Sequence, residues 1–140
     1  MAYRYLEHTS DIGVEVVAST CEQAFAEAGV ALFGIMTDLA GFRPVEEVPI
    51  QAEGFDPKSL LYSWLEEMLY IFDTTSTVLV KIEVKQLTLG DRHSVQAVGF
   101  GQKFDPRRHE SRTGVKAITY HKMDFETSED KCVLRYFVDI

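Results

Sequence analysis

The 140-residue chain is 46% hydrophobic and 26% charged, proportions of an ordinary globular fold, so neither disorder nor a membrane span is indicated. Its formal net charge of -8 argues against general binding to nucleic acid, whose phosphates would be repelled at long range. Cations and basic protein surfaces are the favoured partners.

The length suits one domain around one core, spanning 1-140. No apolar run approaches the roughly 20 residues that cross a bilayer, and the opening Met1-Ala2-Tyr3-Arg4-Tyr5 lacks the apolar centre of a signal peptide. A cytoplasmic location with no membrane partner is the resulting expectation.

After the opening segment, Val14, Val16 and Ala18 alternate with Glu15, Val17 and Ser19, the period of a strand with one buried face. Thr20 and Gln23 then have capping-box spacing, with Thr20 accepting from the Gln23 amide and the Gln23 side chain reaching back. Ala24, Phe25, Ala28, Leu32, Ile35 and Met36 recur at helical spacing down to about Thr37. Gly29 inside this helix costs about 1 kcal/mol relative to alanine, which close packing against the sheet would explain. A connection from Gly41 to Pro49 leads to a short strand near Val48 to Ala52. A second helix follows, capped by Asp56, with Pro57 in the first turn and Leu61, Trp64, Leu65, Met68, Leu69 and Phe72 as its apolar stripe. Glu66 and Glu67 fall on its solvated side.

The second half reads as sheet. Val80, Ile82 and Val84 alternate with Lys81, Glu83 and Lys85, and Gly90-Asp91 supplies a turn before Ser94 to Phe104, which predicts an antiparallel hairpin. Asp105-Pro106 ends it, and two final strands are expected near Ala117 to Phe125 and Cys132 to Val138. Helices in the first half and strands concentrated in the second favour an α+β fold, a mainly antiparallel sheet packed with two principal helices, over a doubly wound parallel one.

The chemical inventory lacks GxGxxG, a P-loop, GxSxG and HExxH, so nucleotide-binding and common hydrolase readings lose their main supports, and no catalytic residue is assigned. Cys21 and Cys132 lie far apart without CxxC or Cys/His spacing and are expected as buried or half-buried free thiols. Lys103, Arg107, Arg108, His109 and Arg112 form a basic stretch that reads as a solvated loop.

Two segments stand out by position. His8-Thr9-Ser10-Asp11-Ile12-Gly13 interrupts an apolar region with polar groups, and Asp139-Ile140 follows directly on a strongly apolar strand. His8 to Gly13 resembles the HTxDxG signature of the archease family. Further similarity runs through Phe33-Gly34-Ile35-Met36-Thr37-Asp38, Leu60-Leu61 with Trp64-Leu65, Val115-Lys116-Ala117-Ile118-Thr119-Tyr120-His121 and the terminal Asp139-Ile140. Ser10 stands where the family commonly has alanine, and the stretch from His93 to Arg112 matches least.

The resemblance implies an accessory protein rather than an enzyme, one that promotes guanylylation and multiple turnover of the RtcB-type GTP-dependent RNA ligase of tRNA splicing. A general chaperone-like binding module for RNA-modifying enzymes is the alternative it also allows, and a stand-alone metal-dependent hydrolase is a third reading. It implies a divalent-cation site, calcium or else magnesium, held by Asp11, Asp139 and the terminal carboxylate of Ile140. Those are oxygen donors of the kind such hard cations select, and from opposite ends of the chain they would otherwise repel one another. His8 would support a ligand carboxylate or serve the fold. Lys116 and His121 are candidates for the ligase-facing surface, with ordinary strand positions as the alternative.

Overall fold

This computed structural model describes residues 2–7 and 10–140. Among them the chain runs β1 (Ala2–Glu7), β2 (Asp11–Ala18), α1 (Cys21–Met36), β3 (Glu46–Gly54), α2 (Pro57–Thr75), β4 (Thr77–Thr88), β5 (His93–Lys103), β6 (Ala117–Ser128) and β7 (Lys131–Asp139). One sheet has the order β1-β2-β7-β6 and the other β3-β5-β4, and every pairing is antiparallel. The α+β expectation of two helices on antiparallel strands is met, although the strands divide into two sheets instead of one. No helix of the described residues is long and apolar enough to cross a membrane.

The two helices sit side by side and each touches both sheets. α1 packs on β1, β2 and β7 of the first sheet and on β4 of the second, while α2 packs on the second sheet and on β6 of the first. The apolar stripes read from the sequence face this shared core, where Phe25, Leu32, Leu61, Trp64 and Met68 are fully buried. Burial of polar groups there is matched by hydrogen bonds, as it must be. The Trp64 indole donates to the Phe25 carbonyl and the Tyr136 hydroxyl to the Ala28 carbonyl, both at 2.9 Å.

Gly29 confirms its expected role. A Cβ there would lie 2.7 Å from Ile82 Cδ1 and 3.3 Å from the Met68 sulfur, so its absence lets α1 approach β4 and α2 closely.

The helix starts differ in detail from their sequence reading. Thr20 does accept from the Gln23 amide, but the Gln23 side chain takes a hydrogen bond from the Ser19 hydroxyl instead of closing the capping box. The full box belongs to α2, where Asp56 accepts from the Ser59 amide and the Ser59 hydroxyl accepts from the Asp56 amide.

β1 went unrecognised in the sequence because it is an edge strand with little burial. It is held by its ladder to β2 and by the Tyr5 hydroxyl, which donates to the Ala31 carbonyl of α1 at 3.1 Å. β6 is broken between Thr119 and Asp124, where Lys122 takes a left-handed φ of 58°.

Candidate metal centre where the two ends of the chain pair

β2 and β7 are neighbours, and their register sets Asp11 directly opposite Asp139. In an antiparallel pair such residues project from the same face with side chains in contact range. Asp139 ends β7 as an ordered strand residue. Its carbonyl accepts from the Lys116 amide at 2.8 Å, and the Ile140 amide donates to the Ser10 carbonyl at 3.3 Å. Backbone bonds therefore draw Ser10, Asp11, Lys116, Asp139 and Ile140 to one end of the sheet.

The face below this point follows from the same register. Gly13 lies opposite Phe137, and Glu15 opposite Arg135. A Cβ on Gly13 would fall 2.5 Å from Phe137 Cε2 and 2.9 Å from Leu6 Cβ, so the glycine makes room for the ring. Phe137 is 2% exposed and forms an apolar floor next to the carboxylates. The Lys122 ammonium stands 5.6 Å from the centre of that ring, a cation–π arrangement.

Charge is balanced unevenly along the face. Glu15 is clasped by Arg135 at 2.6 Å and Arg4 at 3.0 Å. Those hydrogen bonds, the Arg135 one first, hold its carboxyl below the usual range. Among the described residues no ion pair reaches Asp11 or Asp139. Asp11 Oδ1 is moreover buried with no hydrogen-bond partner among them. A buried carboxylate oxygen in that condition is costly unless something positive meets it.

Two facing carboxylates, one with an orphaned oxygen, suit a hard divalent cation, and Ile140, whose carboxylate is the expected third donor, is held in the same stretch of backbone. No group of three or more His, Cys, Asp or Glu side chains that could hold a metal occurs among the described residues. The expected set therefore stands on two side chains and a chain terminus. His8 and Thr9, the first two letters of the signature, lie outside the described residues.

Other expected surface residues are also located. Lys116 is exposed beside Asp139, and His121 is exposed in the irregular part of β6. Tyr120, next to it, is half exposed and stacks on Tyr62 of α2 with centroids 4.2 Å apart.

The basic stretch forms the expected solvated loop for Arg107, Arg108 and Arg112, which are exposed, but His109 is enclosed. His109 is 8% exposed and stacked on Phe42 at 3.7 Å. Its Nδ1 accepts from the Asp105 amide at 2.9 Å, so Nε2 carries the hydrogen toward the Gly41 carbonyl at 3.0 Å. Lys103 donates to the Thr75 carbonyl, and Arg112 and Arg107 sit near Asp38 and Asp105. Sequence reasoning missed both the Gly13–Phe137 floor and the Arg4–Glu15–Arg135 clasp. Alternation would have put these residues on one face, but which faces which depends on register.

The sequence matches the archease protein family over residues 3–140. The chain belongs to the archease family. Curated archeases from Methanopyrus kandleri and Sulfurisphaera tokodaii are 40% and 38% identical to it, covering 100% of both chains in the first case and 99% and 98% in the second. Protein 1598 of Methanobacterium thermoautotrophicum, solved in solution, shares 29% identity at a TM-score of 0.83, covering 99% of this chain and 98% of that one. A Thermotoga maritima archease, described as a possible chaperone, has the same fold at a TM-score of 0.60 and 22% identity, over 96% and 94% of the two chains. This archease thus shares its whole length, including the strands that bring Asp11 to Asp139, with its relatives.

Proposed function

We propose that this archease is an accessory protein that activates an RtcB-type GTP-dependent RNA ligase in tRNA splicing, promoting guanylylation and multiple turnover, with a divalent cation at Asp11, Asp139 and the Ile140 carboxylate. The observation that carries the reading is the register of β2 on β7, which opposes Asp11 and Asp139 while Asp11 Oδ1 is buried without a partner among the described residues. Family membership supports the ligase as partner. The net charge of -8 supports docking on a basic ligase surface, since complementary potentials steer association and orientation. When bound, the cation neutralises the carboxylates and ties the two strands together. The protein's own groups do the rest: Phe137 shields the site from below, and Lys116 and Ile140 fix the backbone of β7 through their amides.

Multiple-turnover RNA ligation tests the proposal, run with native protein, Asp11→Ala, Asp139→Ala and a C-terminal extension beyond Ile140, each checked for folding by circular dichroism. Each change should lower stimulation at least about tenfold, the effect of removing one interaction worth roughly 1.4 kcal/mol. Full stimulation by all three folded variants would remove the terminal site from the mechanism. Protection of unrelated aggregating proteins, independent of Asp139, would favour the general chaperone-like module. Hydrolysis of phosphoesters by metal-loaded protein without ligase would favour a stand-alone enzyme.

A further inference from the structure

The two cysteines, 111 residues apart, meet at the opposite end of β7 from Asp139. Cys21 opens α1 and Cys132 is the second residue of β7, and their sulfurs are 2.7 Å apart. Both are free thiols. That separation is well inside ordinary non-bonded contact and approaches the roughly 2.0 Å of a disulfide bond. Neither thiol has a role in the terminal carboxylate site.

Their surroundings are unequal. Cys132 is 1% exposed, and burial, with the contact to Cys21 as a lesser cause, pushes its thiol well up. Cys21 is half buried, with its sulfur 3.5 Å from Thr127 Oγ1. It also lines an open groove of about 400 Å³ together with Ser19, Glu22, Leu89, Glu129 and Lys131. One sulfur is thus reachable from solvent and the other waits behind it, the arrangement of an attacking and a resolving cysteine.

We infer that Cys21 and Cys132 are a disulfide-forming pair, closed by thiol–disulfide exchange with a small-molecule disulfide that enters the groove at Cys21, and that the bond staples the start of α1 to β7. In the first step the Cys21 sulfur, its proton lost to solvent, attacks one sulfur of the small disulfide, and one small thiolate leaves. In the second the Cys132 thiol gives up its proton and its sulfur attacks Cys21, and the other small thiolate leaves. Two electrons pass from the protein to the small disulfide, which ends as two thiols. The bond closes most of the chain into one loop, the geometry in which constraining the unfolded state stabilises most.

The test uses the native protein and oxidised glutathione. The titratable thiol count should fall from two to none, with the mass lowered by two hydrogens, the protein still monomeric on a non-reducing gel, and the melting temperature raised by roughly 10 °C. Cys132→Ser should trap a stable glutathione adduct on Cys21, whereas Cys21→Ser should gain none until denatured, because Cys132 is buried. Retention of both thiols in native protein, disulfide-linked dimers as the main product, an unchanged melting temperature after oxidation, or equal adduct formation by the two variants would each overturn the inference. The wild-type measurements decide the matter even if a serine variant fails to fold.

Discussion

At the scale of single residues, the buried oxygen of Asp11 matters most. In metal-free protein nothing positive among the described residues meets that oxygen, and the carboxylate faces a second one across the β2–β7 ladder. If the cation is calcium, raising it to about 100 times its Kd should stabilise the fold by roughly 2.7 kcal/mol, a gain abolished by chelator. Thermal denaturation with and without calcium checks this. Asp11→Asn and Asp139→Asn should each lose the calcium response while remaining at least as stable as the metal-free native protein, because each removes one of two repelling charges. Gly13→Ala attacks the floor of the same site. Its Cβ would meet the Phe137 ring at 2.5 Å, so overpacking should cost about 1–3 kcal/mol by urea unfolding, with the ring displaced toward the carboxylates.

At the scale of elements, β7 is the organising strand, since it pairs with β2 and β6, buries Leu134, Tyr136 and Val138, and packs on α1. Tyr136 makes the alkaline limb of stability predictable. Burial pushes its phenol well above the ordinary 10.0, so the folded protein keeps a proton that the unfolded chain gives up. Its contribution is fully present below about pH 10 and is lost as pH rises beyond, at up to about 1.4 kcal/mol per pH unit. Tyr5, also raised chiefly by burial, steepens the loss. Denaturant midpoints measured from pH 8 upward should therefore fall above pH 10, and Tyr136→Phe should flatten that fall. At the start of α2, Asp56→Ala removes one half of the Asp56–Ser59 box and should cost about 1 kcal/mol.

Both helices were legible in the sequence because a 3.6-residue apolar stripe and local caps are properties of short segments. The Val80–Phe104 hairpin was legible for the same reason. What the sequence did not show was long-range: the division into two sheets, the facing of Gly13 by Phe137, and the touching of Cys21 and Cys132. Asp11 and Asp139 were singled out by their place in a motif and at a strand end, and the family resemblance, not periodicity, joined them. His109 was misread as part of a basic loop because nothing local reveals that Phe42 and Gly41 enclose it.

At the scale of the molecule, the net charge of -8 predicts how ligase stimulation responds to salt. If complementary charge steers the encounter, the concentration of this archease giving half-maximal stimulation should rise several-fold between low and about 0.15 M ionic strength, while the maximum stimulation holds. Turnover titrations at two salt concentrations check it. The interlocking of the helices has another consequence. α1 precedes the second sheet in the chain yet packs on its β4, and α2 lies within the segment that forms that sheet yet reaches β6. Neither sheet keeps its covering if the other opens, so there is no smaller unit into which the fold can retreat. Cutting the backbone at the β4–β5 turn should leave two fragments that remain associated, and amide exchange in α1, α2 and β7 should share one opening free energy. The single tryptophan, Trp64, buried between the helices, makes the point measurable. Its fluorescence and the backbone dichroism should be lost in one coincident transition.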